Sequence, residues 1–215
     1  MYKAILFDLD DTILSFKKSE EYAIEKVFEK YHIDNTTTNK ELYSSINISY
    51  WKRLEKKEIT KEELLKRRFN DFFHELNIES NDEKVKEAND TYFKYLTSVA
   101  FLEENSKRLL YILKEHYCLY IISNGIKYVQ EKRLNLVSDV RDCFRKIFIS
   151  EDIGYPKPQK EFIDYVLKHV PYEKSELLIV GDSYTSDILL GLNNGIDVCW
   201  YNKEGKIAMM SELNM

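Results

Sequence analysis

Glycine and proline are scarce in this chain, at 6 and 3 residues in a sequence of 215. Those that fall inside motifs therefore carry more information than usual. Cysteine is equally sparse. Cys118, Cys143 and Cys199 are odd in number and widely spaced, and no pair has metal-ligand spacing. That argues against a thiolate metal centre and fits a reducing cytosol. Cys118 and Cys199 lie in apolar runs and are expected to be buried. No apolar stretch approaches membrane-spanning length. The N-terminal apolar run is interrupted by Asp8 and Asp10 too early for a secretory leader, so a cytoplasmic location is expected. Positive charge is not in excess. The formal net charge of −5 argues against a binder of nucleic-acid polymers, but not against a small phosphorylated ligand, for which local charge decides.

What is present suffices for a core. Hydrophobic residues make up 44% of the chain and charged residues 32%. The length suits one domain, or one domain with a sizeable insertion. Ala4 to Phe7 is a short apolar run, long enough for one buried strand. It ends in Asp8, Leu9, Asp10, Asp11 and Thr12. Carboxylates grouped where a buried strand surfaces repel one another and are costly to hold out of water unless positive charge is supplied from elsewhere. Two readings stand level on this stretch alone: a metal-assisted site, or a polar turn with a helix N-cap.

From Lys17 to Ser98 the pattern is helical throughout. Ala23, Ile24, Val27, Phe28 and Tyr31 recur at helical spacing. A second segment carries Leu42, Ile46, Tyr50 and Leu54. Thr60 with Glu63 forms a capping box before Leu64, Leu65, Phe69, Phe72, Phe73 and Leu76, and Ser80 with Glu83 repeats that signal. The period then changes. Strands are expected at Cys118–Ile122, Ile147–Ile149, Leu177–Val180 and Val198–Tyr201. Helices are expected at 106–116, 126–136, 160–169 and 187–194, the last closed by Gly195 in a left-handed cap. Strands alternating with helices imply βαβ units and a parallel sheet. The expected fold is thus α/β: a Rossmann-like parallel-sheet core from residues 1–15 and 99–215, with a helical cap, residues 16–98, inserted after the first strand.

Each core strand ends in pointed chemistry. The first ends at Asp8 and Asp10, the second at Ser123, Asn124 and Gly125. The third leads to Gly154, Tyr155, Pro156, Lys157 and Pro158, and the fourth to Gly181, Asp182, Ser183 and Asp187. In a parallel sheet these ends share one edge. Carboxylates are hard ligands for Mg²⁺, a lysine offsets phosphate charge, and a hydroxyl with backbone N–H groups before a helix can hold phosphate oxygens. An aspartate can attack phosphorus, and a second carboxylate two residues along can move the proton. Taken singly, Ser123 or Asp182 could be an N-cap, Lys157 a loop lysine and Asp187 an exposed helical charge. Their order at successive strand ends favours a joint site.

FDLDDT, IISNG, GYPKP and GDSYTSDI resemble the four ordered motifs of the haloacid dehalogenase-like hydrolases. The resemblance implies Asp8 as nucleophile and Asp10 as general acid/base. It implies phosphate binding by Ser123, Asn124 and Lys157, with Lys157 also steadying the nucleophile. Mg²⁺ would be bound by Asp8, Asp182 and the backbone carbonyl of Asp10, with Asp187 in support. Asp10 points to a phosphatase, because the dehalogenase branch lacks an acid there. The segments INISYWKRLEKKEITKEELLKRRF and VGDSYTSDILLGLNNGIDVCWYN resemble the house-cleaning pyrimidine 5′-nucleotidases of the same superfamily. A Mg²⁺-dependent phosphatase for nucleoside 5′-monophosphates, working through an aspartyl-phosphate, is therefore expected. A phosphatase for a small sugar phosphate or phosphoglycolate is the alternative, and an inert binding protein a more distant one. A monomer or homodimer is expected. In the cap, Asn47, Trp51 and Arg68, backed by Tyr50, are the candidates for reading the base, since a ring stacks on a base and polar groups read its edge. Aromatics at helical spacing also build cores. Two departures stand out. The return segment VAFLEENS lacks the Pro-Gly common in relatives, and KIAMMSELNM reads as a shortened or frayed tail.

Overall fold

Strand β1 (Ala4–Phe7) is buried along its whole length because it lies at the centre of a sheet covered on both faces. In this computed structural model residues 1–203 are described, and KIAMMSELNM lies outside them. The chain divides into two compact units, one of Met1–Phe16 with the chain from Ala100 onward, the other Lys17–Val99. No described helix is long and apolar enough to cross a membrane.

The inserted unit is all helical: α1 (Phe16–Tyr31), α2 (Thr37–Glu55), α3 (Lys61–Glu75) and α4 (Asp82–Leu96). Its interior is aromatic. Phe28 stacks on Phe72 at 5.6 Å, and Tyr43 packs against Phe69, Phe72 and Tyr92 at 5.1 to 5.6 Å between ring centroids. Such pairs add about 0.5–1.5 kcal/mol each beyond the area they bury. The stripe that α2 buries is Tyr43, Asn47 and Tyr50, while Leu42, Ile46 and Leu54 are only half-buried. The helix is turned from its apolar expectation because Asn47 is drawn inward by polar partners. The capping box of α3 forms in both directions: Glu63 N donates to Thr60 Oγ1 at 3.1 Å, and Thr60 N to Glu63 Oε2 at 2.9 Å. At α4 the cap is Asn81, whose Oδ1 accepts from Lys84 N, and Ser80 bonds Asn70 instead.

The other unit continues with α5 (Ser106–Leu113), β2 (Cys118–Ser123), α6 (Lys127–Leu136), α7 (Ser138–Arg141) and β3 (Phe144–Ile149). Next come α8 (Ser150–Ile153), α9 (Lys160–His169), β4 (Leu177–Gly181), α10 (Leu189–Leu192) and β5 (Asp197–Trp200). The sheet is parallel with order β3-β2-β1-β4-β5. Ala4 and Leu6 face a cluster with Phe162, Ile163 and Val166 of α9, whereas Ile5 and Phe7 face one with Leu110 of α5 and Leu134 of α6. That is the two-residue alternation of a strand serving two helical layers. The segments leaving and re-entering this unit run side by side. Ser15 N donates to Phe101 O at 2.8 Å, Glu103 N to Ile13 O at 2.9 Å, and Leu14 bridges Leu102. VAFLEENS thus pairs with the outgoing chain without a Pro-Gly turn.

Three expectations change. β3 begins at Phe144, earlier than expected. The helix expected over 187–194 is a π turn, Tyr184–Ile188, followed by α10, with Gly195 at the left-handed φ of +67°. Cys118 is only half-buried, Cys199 is exposed on the edge strand β5, and Cys143 is the buried thiol. Replacing Thr60 by Ala removes one half of the capping box and should lower stability by about 1 kcal/mol, read as a fall in the urea midpoint with an unchanged m-value.

Candidate active site

β1, β2 and β4 are neighbours and end together, which places Asp8, Ser123 and Asp182 at adjacent strand ends. The turn after β1 is tight: Ile13 N and Leu14 N both donate to Leu9 O, and Asp11 takes a left-handed φ of +57°. Asp tolerates that conformation better than most side chains. The polar stretch is therefore a turn, and α1 begins only at Phe16.

Lys157 is the centre of the arrangement. Its ammonium is buried, and its three protons have three acceptors: Asp8 Oδ1 at 2.6 Å, Asp187 Oδ1 at 2.7 Å and the Ile122 carbonyl at 2.9 Å. Asn124 holds the Lys157 backbone from both sides, accepting from its N–H at 2.8 Å and donating to its carbonyl at 3.0 Å. Asp8 Oδ2 accepts from the Thr12 hydroxyl at 3.2 Å. Asp187 Oδ2 accepts from Ser183 N at 3.1 Å. It occupies the space beside Gly181, where a Cβ would lie 2.3 Å from Asp187 Oδ2. The π turn carries Asp187 back toward the strand end, a common use of π geometry at functional sites. Trp200 Nε1 donates to the Asp182 carbonyl at 2.8 Å and fixes that loop.

Asp8, Asp182 and Asp187 each bring a carboxylate oxygen within 4.8 Å of the others. Three carboxylates against the single ammonium of Lys157 leave two negative charges. Burial raises the Asp8 carboxyl well above its ordinary range, against the pull of Lys157, and Asp187 and Asp182 push it the same way. Asp182 is raised to about 7, by burial first and the nearby Asp187 second. Burial lowers Lys157, but Asp187 and Asp8 outweigh it and the ammonium is held. A divalent cation fits such a donor set in charge and in ligand hardness.

Ser123 is buried at the end of β2. Its Oγ accepts from Gly125 N and from Gln130 Nε2, both at 3.0 Å. The Asp10 carboxylate is turned to α6, where Gln130 Nε2 and Arg133 Nη1 donate to its two oxygens. Neither Gln130 nor Arg133 was among the sequence-derived candidates. The available signal was their place, with Val129 and Leu134, on the buried face of a helix opened by the Ser-Asn-Gly turn. In the helical unit Asn47 and Arg68 are joined and buried. Asn47 Oδ1 accepts from Arg68 at 3.2 Å, and its Nδ2 donates to Glu20 at 2.7 Å. Arg68 also donates to Asn89 Oδ1 at 2.8 and 3.1 Å and lies over the Tyr92 ring. Trp51 stands apart, half-buried against the cluster of Tyr50, Ile59 and Leu64. Tyr50 donates to Asp71.

A central parallel sheet whose strand ends gather three carboxylates, a buried lysine and a hydroxyl suits metal-assisted hydrolysis. The sequence profile of the haloacid dehalogenase-like hydrolases matches residues 5–201, and the chain belongs to that family. YfnB of Bacillus subtilis is 35% identical over 206 residues, covering 95% of this chain and 86% of that protein. Its crystal structure, bound to magnesium, matches with a TM-score of 0.89 over 96% of this chain and 92% of that one. The pyrimidine 5′-nucleotidase PynA of Streptococcus pneumoniae is 33% identical, covering 94% of this chain and 84% of that protein. The pyrimidine 5′-nucleotidase YjjG of Escherichia coli is 29% identical, covering 92% and 85%. These likenesses place the chain among the phosphoric monoester hydrolases. Hydrolases of the family use a divalent metal, and the buried acidic cluster suits one.

Asp182 is protonated in the cation-free fold up to about pH 7, while its unfolded-state value is an ordinary 3.8. The stability it contributes is complete below the unfolded value and is lost as pH rises through about 7. The melting temperature of the cation-free protein should fall from about pH 5 to about pH 8. Added magnesium or manganese should raise it more at the higher pH, as differential scanning fluorimetry would record. An equal shift at both values, or none, would rule the cluster out as a cation site.

Proposed function

We propose that this protein is a Mg²⁺-dependent phosphatase that hydrolyses nucleoside 5′-monophosphates through an aspartyl-phosphate on Asp8. The observation that carries the reading is the buried bridge of Lys157 between Asp8 and Asp187, beside Asp182 and in line with Ser123 across the strand ends. Likeness to two pyrimidine 5′-nucleotidases supports the substrate class. Asp8, Asp182 and Asp187 would hold the magnesium ion, which offsets phosphate charge when bound.

In the first half-reaction a carboxylate oxygen of Asp8 forms a bond to phosphorus as the ester P–O bond breaks. Asp10, which takes up a proton from solvent as the ester binds, gives it to the leaving oxygen. In the second, a water oxygen bonds phosphorus, Asp10 takes that water's proton, and the Asp8–phosphate bond breaks. Inorganic phosphate leaves and both carboxylates return to their starting states. Lys157 orients Asp8 and offsets charge on phosphate. The Ser123 hydroxyl, already accepting two hydrogen bonds, directs its own proton to a phosphate oxygen. Asn124 contributes to this subsite by fixing the Lys157 backbone.

In the helical unit, Trp51 offers the partly open ring for a base. Asn47 and Arg68, the other residues proposed to read the base, are tied into the interior of the unit through their bonds to Glu20 and Asn89. The free thiols of the described residues accord with a cytoplasmic setting.

Phosphate release should be measured on dUMP, dTMP, UMP, AMP, phosphoglycolate and sugar phosphates, with Mg²⁺ and with EDTA. Pyrimidine monophosphates should be preferred, EDTA should abolish turnover, and Asp8→Asn should be folded and inactive on every ester. A preference for sugar phosphates or phosphoglycolate would keep the core chemistry and discard the nucleotide. Trp51→Ala should raise KM for dUMP by roughly ten-fold, since a base–aromatic stack is worth about 1–3 kcal/mol, and spare hydrolysis of 4-nitrophenyl phosphate. Equal losses on both substrates would sink the role given to Trp51.

A further inference from the structure

Gln130 and Arg133 lie three residues apart on α6, so both project from one face of the helix. Both are fully buried, although a buried guanidinium is costly unless a charge answers it. The charge that answers is the Asp10 carboxylate, itself about one quarter exposed. Arg133 Nη1 donates to Asp10 Oδ1, and Gln130 Nε2 to Asp10 Oδ2. The same Gln130 amide donates to Ser123 Oγ at 3.0 Å, and its carbonyl oxygen accepts from Arg133 at 3.4 Å. Arg133 also sits over the Phe16 ring at 5.6 Å. Space for the amide is built into the fold: a Cβ on Gly125 would lie 1.9 Å from Gln130 Nε2. Asp10 projects from a tight turn, and its carboxylate is gripped at both oxygens by a helix from elsewhere in the chain.

We infer that Gln130 and Arg133 are positioning residues for Asp10, aiming its carboxyl at the leaving oxygen and then at the attacking water. The inference rests on the acid/base role proposed for Asp10. Gln130 joins that carboxylate to the phosphate-binding hydroxyl of Ser123, so one side chain sets both the acid and the phosphate subsite. Both residues act through Asp10 and Ser123, which they hydrogen-bond directly. Their effect is to restrict a carboxylate that would otherwise sample several rotamers, and misplacement of an acid is felt only where a proton must be supplied.

The test compares esters that differ in their need for that proton. kcat/KM should be measured for 4-nitrophenyl phosphate, phenyl phosphate and a 5′-nucleotide with Gln130→Met, Arg133→Met, Arg133→Lys and Asp10→Asn. General acid catalysis contributes about 10²–10⁴-fold, and loss of aim should forfeit part of it. Gln130→Met and Arg133→Met should lose about 10- to 100-fold on the nucleotide, less on phenyl phosphate and only a few-fold on the nitrophenyl ester. Arg133→Lys should recover part of the nucleotide loss. Gln130→Met carries no change of charge and keeps the test open if Arg133→Met fails to fold. Equal losses across the three esters, or no loss on any, would overturn the inference. If Asp10→Asn itself did not separate the esters, the acid assignment would fail first. If Asp10→Asn separated them and the Gln130 and Arg133 variants did not, only the positioning role would fall.

Discussion

The ammonium of Lys157, held between Asp8 and Asp187, is the constraint on which the site depends. Both carboxylates are buried, and neither would stay ionised there alone. Removing one member of a buried ion pair typically costs about 3–5 kcal/mol, set against about 5–15 kcal/mol for the net stability of a domain. The lysine is therefore required by the carboxylates more than it adds to the fold. Its own position is secured by Asn124 on the backbone and by the Ile122 carbonyl on the third ammonium proton. Three segments distant in the chain thus converge on one cation. When all three carboxylates are ionised, two charges are left unanswered beside it, a donor set that suits a divalent ion.

A second charge pair is kept apart from the first. Arg133 answers Asp10, whereas Lys157 answers Asp8 and Asp187. Two carboxylates two residues apart in sequence are thereby given different partners and different surroundings. Asp8 is closed in, and Asp10 keeps part of its surface open. That separation suits the roles proposed for them, Asp8 acting on phosphorus and Asp10 on protons without competing for the same cation.

The parts of this arrangement differ in how plainly they could be read from the residues. Asp8 and Asp182 come at the ends of apolar runs readable as buried strands, with Lys157 and Asp187 a few residues beyond; singly each had an ordinary structural reading, and only their order at successive strand ends pointed to a joint site. Gln130 and Arg133 were hidden because polar residues on a helix are ordinarily solvated, and only the fold shows that this face of α6 turns inward. Asn47 was legible as a polar residue of interest, but not as the member of α2 about which the helix is turned. β3 was read too short because Arg145 and Lys146 break its apolar pattern. Charges on an edge strand are what keep such a strand from pairing with other chains. The cap of α4 shifted by one residue, from Ser80 to Asn81, since both side chains can cap and their neighbours decide.

The pairing of residues 13–15 with 101–103 has a consequence for how the protein can change. Seen from the sheet, the long helical excursion enters and leaves through two adjacent segments already tied by hydrogen bonds, so its ends are joined whatever lies between them. The entropy of closing a connection grows only slowly with its length, and here the closure is made by the core's own backbone. The excursion is in effect an exchangeable cassette. Its size, its aromatic interior and the surface it offers can be rewritten by mutation while the lysine and the carboxylates at the strand ends of the sheet keep their places.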